Sequence, residues 1–410
     1  MEKYTTLKLA CYTSSITMSA VCNLSPVLFI TFHSIYGISY SLLGLLVLIN
    51  FVTQLVIDLI FSFFSYKFNI PLVVKAIPYI SIVGLGCYAV LPLLFKGYEY
   101  LGLTIGTIIF SAAAGLGEVL ISPVIAAIPS KDPDREMSKL HSMYAWGVVG
   151  VIIFSTLFLI GFKNDNWYLL PLIFAIIPLV SAILYSNSKI PPMETPKKAS
   201  LALSFFKSKT LWLCFFAIFF GGAAECTMGQ WCSGFLEKSL DIPKVFGDIF
   251  GVALFSLMLA LGRTLYAKIG KNIEKILIYG FLFAAFCYII SAITNVSVIG
   301  LLACAFTGFC TSMLWPGNLV IAANHFSASG VFIYALMAAG GDLGASVGPQ
   351  LVGIITDITI TNPSLIELAK SLSLSPEQLG LKIGILFAAL FPILGFILAI
   401  KIFKNSRERA

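Results

Sequence analysis

From about residue 6 to about residue 404 the chain is a succession of apolar stretches, each about 20 residues long and separated by short polar gaps. A helix of about 20 residues rises about 30 Å, the thickness of the hydrocarbon layer of a bilayer. Inside hydrocarbon every backbone amide has to find its partner within its own segment, so a chain built this way is restricted to membrane-spanning helices. Charge agrees: 11% of the residues are charged, where a soluble domain carries roughly 25%. The mean hydropathy is +0.96. The first stretch, about Thr6 to His33, follows Lys3 and Lys8, but it is too long for a signal peptide and lacks a small-residue cleavage site, so it reads as a span.

The apolar windows predict twelve helices, near 6–33, 40–66, 72–93, 99–127, 138–162, 168–188, 210–236, 245–268, 275–293, 297–325, 329–358 and 381–404. If the amino terminus is cytoplasmic, Lys96, Lys163, Lys238, Lys244, Lys370 and Lys382 lie outside, and these six of the 26 Lys and Arg leave 20 inside. That asymmetry predicts both termini in the cytoplasm and a multi-pass protein of the inner, or plasma, membrane. The nine cysteines all fall within predicted spans and form no Cys-x-x-Cys pair, so they read as packing residues, not as disulfides or metal ligands. No nucleophile and base, phosphate loop or metal cluster is present, so neither an enzyme nor a cofactor is expected. The net charge of +7 is spent on orientation and does not imply nucleic acid.

A polar stretch from Ser186 to Thr210, with Pro191, Pro192 and Pro196, divides the chain into six and six spans. The expected domains are a bundle over 1–188, a cytoplasmic linker over 189–209 and a second bundle over 210–410. A constant shift of 193, the difference between 115 and 308, carries Gly115, Pro123 and Gly147 onto Gly308, Pro316 and Gly340. This points to duplication. A second polar stretch, Thr361 to Leu379, holds two helix starts, Asn362-Pro363 and Ser375-Pro376-Glu377-Gln378, and predicts a short amphipathic helix outside the cell that turns into the last span.

Carboxyl groups in hydrocarbon cost at least a few kcal/mol each, so those that persist usually serve a partner or a wet cavity. Glu118, Glu225 and Asp342 fall near mid-membrane in spans four, seven and eleven. A carboxyl that alternates between wet and dry surroundings changes its hold on a proton, which is what proton coupling requires. A neutral hydrogen-bonded acid or a buried ion pair between helices is the structural alternative. His141, in the first turn of span five, is a candidate relay or an interfacial packing residue. Span two carries Asn50, Gln54 and Asp58 on one helical face, and span one carries Ser15, Ser19 and Asn23 in the same way. Asn23, Asn50 and Gln54 either line water or hydrogen bond between helices. Asp58 and Arg263 read as structural charges. Trp231 and Trp315 could stack on a sugar ring, with Gln230, Asn318 and Tyr144 as polar partners, or could simply pack. Gly340, Gly344 and Gly348 have the spacing that lets helices approach closely, and Pro349 adds a bend.

Several segments carry a resemblance to a known family. Leu261-Gly262-Arg263 to Lys268-Ile269-Gly270-Lys271 is similar to the loop signature of the major facilitator superfamily; the first-half counterpart, Asp58 to Lys67-Phe68-Asn69, keeps the acid and one base and lacks the glycines. Gly115-Leu-Gly-Glu118 to Pro123, His141 to Gly147, Glu225 to Gln230-Trp231, Trp315-Pro316-Gly317 and Gly340-Gly341-Asp342 to Gly348-Pro349 resemble the bacterial sugar transporters of that superfamily that include fucose permease. The resemblance implies two six-helix bundles, alternating access and a proton-coupling acid in span four, for which Glu118 is the matching residue. The same relatives use an aspartate in span one, where this chain has Asn23, an amide that cannot titrate. Coupling would then run through Glu118 with Glu225 or Asp342, or be absent. Superfamily antiporters usually carry a glycine and proline signature in span five; this span has Gly147 and Gly150 and no proline, which argues against drug efflux. The expectation is a monomeric, lipid-embedded carrier that binds a small polar solute, a sugar first, among Asn23, Gln54, Glu118, Glu225, Trp315 and Asp342, with proton symport. Export of drugs or metabolites, carriage of an organic acid or nucleoside, and a membrane sensor remain as alternatives.

Overall fold

A computed structural model describes residues 4–38, 40–193, 206–240, 242, 247–326 and 331–407. Every regular element among the described residues is helical. The spans are Thr5–Tyr36, Tyr40–Phe64, Ile70–Leu94, Glu99–Ala127 and Pro133–Phe162, then span six in two pieces, Leu169–Phe174 and Ile176–Ser186. Span seven is Lys209–Leu240, and span eight opens as a π-helix, Gly247–Ala253, before Leu254–Ile269. Span nine is Ile273–Ile293, span ten Ser297–Thr311 and Leu314–His325, span eleven Val331–Thr361, and span twelve Pro376–Ala388 and Leu390–Arg407. Eleven segments, from Leu45–Lys67 to Pro376–Lys404, are long and apolar enough to cross a membrane, and the 32-residue helix Thr5–Tyr36 before them completes twelve. Most of the linker expected over 189–209 lies outside the described residues.

Local chemistry sets the helix ends. Asn69 caps span three from in front of Pro71, and Asp132 caps span five from in front of Pro133. Asn362 accepts from the amides of Ser364 and Leu365 and starts a short helix, Pro363–Ser371. Ser375 and Gln378 form a reciprocal capping box that opens span twelve. Both starts in the second polar stretch therefore form as the sequence reads. Prolines set the breaks. Pro178, Pro316 and Pro392 have no amide hydrogen for the carbonyls four residues earlier, on Phe174, Ser312 and Ala388, and in each case the helix is interrupted there.

Two compact units divide the chain. The first is Met1–Lys207 with Ala323–Ala339, and the second is Ser208–Ala322 with Gly340–Ala410. In the first, an aromatic knot ties spans one, three and four to the segment before span six: Trp167 is buried, meets Phe32 edge-on at 4.8 Å and donates its Nε1 hydrogen to the Tyr36 hydroxyl. The repeat seen in the sequence recurs in packing. A Cβ on Gly115 would lie 3.0 Å from Gln54 Cα, and one on Gly308 would lie 3.0 Å from Phe255 C, so span four meets span two as span ten meets span eight. A Cβ on Gly147 would lie 3.2 Å from Ile16 Cα and one on Gly340 3.0 Å from the Phe215 ring, so span five meets span one as span eleven meets span seven.

Candidate functional site

In the first unit the polar stripe of span two is buried. Asn50 Oδ1 accepts from Gln54 Nε2 at 3.0 Å and from Ser111 Oγ of span four at 2.6 Å, and Gln54 Nε2 also approaches Cys22 Sγ of span one at 3.9 Å. Asn50 and Gln54 thus hydrogen bond between helices, which is how a polar residue in a lipid-embedded bundle is usually satisfied. Asp58, one turn further on, is fully buried. In span one, Ser15 donates to the Leu140 carbonyl of span five at 3.3 Å, while Ser19 and the half-buried Asn23 bond back to their own helix.

Glu118 is half-buried on span four, one turn after the point where Gly115 meets Gln54. Gly117 beside it faces Met18 of span one, where a Cβ would lie 2.9 Å from the sulfur. Ser122, the next residue along that face, contacts His141 Nε2 of span five at 3.5 Å. His141 and Tyr144 are both half-buried, and Trp146 is 38% exposed. The first unit therefore collects Asn50, Gln54 and Ser111 in one network across spans two and four, with Glu118 and the Ser122–His141 contact further along span four.

The second unit holds a buried ion pair. Arg263 Nη2 spans both carboxylate oxygens of Glu225, at 2.8 and 3.0 Å, and Arg263 Nε donates to the main-chain oxygen of Ser312 at 2.8 Å. The two side chains are 3% and 12% exposed. Nearby, the Trp315 ring is wedged between two glycines: a Cβ on Gly222 would lie 3.0 Å from it, and one on Gly341 would lie closer still. Asp342 follows Gly341 and is buried. Trp231 donates to the Pro349 carbonyl at 2.9 Å, and Gln230 lies exposed. Asn318 is buried; its Nδ2 donates to the Leu314 carbonyl at 2.6 Å, while its Oδ1 has no hydrogen-bond partner among the described residues.

Two features escaped the sequence reading. Ser111 lies 61 positions from its partner Asn50. Lys382, read there only as a lysine on the outer side at the start of span twelve, is buried and donates to the carbonyls of Ala292 and Thr294 at the end of span nine. Among the described residues, no three His, Cys, Asp or Glu side chains are grouped as a metal site.

Twelve spans with carboxyl groups and a guanidinium buried in apolar helices define a multi-pass membrane transporter. The profile of the Major Facilitator Superfamily matches residues 9–349, and the chain belongs to that family. No curated protein matches it. Among solved structures it is similar to the fucose:proton symporter of E. coli, at 16% identity over 98% of this chain and 99% of that one, with a TM-score of 0.70. It is also similar to a proton:xylose symporter, at 13% identity over 98% and 96% with a TM-score of 0.74. A bacterial homolog of the human lysosomal transporter Spinster matches at 13% identity over 98% and 97%, with a TM-score of 0.63. At these identities the likeness is one of fold.

Proposed function

We propose that this transporter takes up a small polar solute of the sugar class by alternating access, driven by proton symport through Glu118. The observation that carries the reading is Glu118 itself: a half-buried carboxyl in the middle of an apolar span, on the same helix as Ser111 of the amide network and three residues past Gly115, which packs on Gln54. Such a group is costly in hydrocarbon and is retained where it exchanges protons or holds a partner. The fucose:proton and proton:xylose symporters of the same fold support the choice of solute and ion. In this reading the protein is a monomer of the inner membrane with both termini cytoplasmic, built of six-helix halves over 1–188 and 210–410 and a linker over 189–209.

The test is uptake into proteoliposomes across a panel of monosaccharides, polyols, nucleosides and organic acids. A protonophore should abolish accumulation of the transported solute, and Glu118→Gln should keep solute exchange while losing accumulation. Undiminished accumulation in Glu118→Gln removes this acid from the mechanism, and binding of a hydrophobic cation with no sugar overturns the solute class.

A further inference from the structure

Span ten breaks at a position that chemistry explains. Pro316 has no amide hydrogen for the Ser312 carbonyl, the helix stops at Thr311, and it resumes at Leu314. A buried carbonyl left without a donor costs about 1–3 kcal/mol. Arg263 fills the vacancy from span eight, its Nε donating to Ser312 at 2.8 Å. Gly262 makes the approach possible, since a Cβ there would lie 2.7 Å from Ser312 Cβ. The other end of the same guanidinium is held by Glu225 of span seven, at 2.8 and 3.0 Å.

A guanidinium buried this deeply is stable only while its countercharge and hydrogen bonds are complete. We infer that Glu225, Arg263 and Pro316 act as one latch, in which the charge on Glu225 holds Arg263 against the Ser312 carbonyl and so sets the bend of span ten. Arg263 is the positioning residue. Without the negative charge on Glu225, the buried cation loses the carboxylate that its Nη2 reaches and withdraws toward water, which leaves the break unsupported. Trp315, three residues past Ser312 and wedged against Gly222 and Gly341, is carried by any change in that bend. The latch is a property of the fold; its use in transport rests on the proton coupling proposed above.

The experiment measures the distance across the break by spin labels on cysteines introduced at Ile299 and Ala323, in purified full-length protein whose native cysteines are replaced. Glu225→Gln and Arg263→Gln should each shift or broaden the distance distribution, while Glu225→Asp, which keeps the charge, should restore it. Pro316→Ala leaves the ion pair in place and supplies the missing N–H, so it should narrow the distribution. In that background Arg263→Gln should lower the melting temperature by less than half as much as it does alone. Unchanged distributions in Glu225→Gln and Arg263→Gln, or equal losses of melting temperature in the two backgrounds, overturn the latch. If Glu225→Gln does not fold, Pro316→Ala decides alone, and an unaltered distribution there overturns it. A shifted distribution in a protein whose solute uptake ignores a protonophore keeps the latch and removes the coupling.

Discussion

The indole Nε1 of Trp231 donates to the main-chain oxygen of Pro349 at 2.9 Å, and a Cβ on Gly353 would touch the same ring at 3.4 Å. One side chain thus straps span seven to span eleven, and its single donor is committed to the backbone.

Trp231→Phe separates strapping from solute stacking. Phenylalanine keeps an aromatic face and loses the N–H, and an interhelical hydrogen bond in a membrane protein contributes about 0.6 kcal/mol on average. We predict a small fall in melting temperature and a half-saturation constant for uptake within about twofold of the parent, equivalent to less than about 0.5 kcal/mol of binding. A rise of about tenfold with an unchanged melting temperature would instead make the indole a solute contact.

The network at Asn50 gives a second prediction. Asn50 Oδ1 is the shared acceptor of Gln54 and Ser111, so Asn50→Leu strands two buried donors while Ser111→Ala removes one and strands none. Each stranded donor costs about 1–3 kcal/mol, and Asn50→Leu should be clearly the more destabilising of the two. Residues sharing a network couple by about 0.5–3 kcal/mol, so the double variant should unfold at a higher denaturant concentration than the sum of the two losses implies. Strict additivity in detergent-titrated unfolding would show that Asn50 and Ser111 do not share the bond.

These two cases mark what the sequence can and cannot carry. Twelve spans, the caps at Asn362 and Ser375 and the glycine repeat rest on local chemistry, on apolar length, on side chains that reach their own backbone and on residues that admit a close neighbour. They read directly from residue order, and the family's fold agrees with them. The single face of Asn50 and Gln54 was equally visible, but its hydrogen-bond partner Ser111 lies on span four, 61 positions from Asn50, and no local spacing points to it. Glu225 and Arg263 were likewise recognisable as charges in hydrocarbon. Their pairing depends on how spans seven and eight cross, and no spacing in the sequence encodes that crossing.

The aromatic knot supplies a third prediction. Trp167 is 1% exposed, stacks edge-on to Phe32 at 4.8 Å and to Tyr88 at 6.2 Å, and bonds Tyr36. Trp167→Ala opens a large cavity in the first unit, a change that usually costs about 3–5 kcal/mol. Trp167→Phe should recover most of that, because the ring contacts persist and only the hydrogen bond is lost. Equal melting temperatures for the Ala and Phe variants would show that the knot contributes nothing through packing.

Lys382 gives the last prediction, because here a lysine in the first half of span twelve does the work of a cap for span nine. Its Nζ donates to Ala292 at 3.4 Å and also to Thr294, the carbonyls that close span nine, and the side chain is 7% exposed. A cation at a helix carboxyl end is favoured by the helix dipole, and here it also supplies donors that the helix itself lacks at that end. Lys382→Met keeps most of the stem volume and removes charge and donors together, so the two carbonyls lose their partner at a cost of about 1–3 kcal/mol. Lys382→Arg retains both and should keep most of the stability. Burial also fixes the salt response: an exposed charge is screened within about 3 Å at 1 M salt, whereas an ammonium in direct contact with carbonyls is not. The difference in melting temperature between the parent and Lys382→Met should therefore persist from low salt to 1 M. If it vanishes at high salt, the lysine acts through long-range charge and not as a cap; if Lys382→Met is as stable as the parent at all salts, the carbonyls at the end of span nine are satisfied without it.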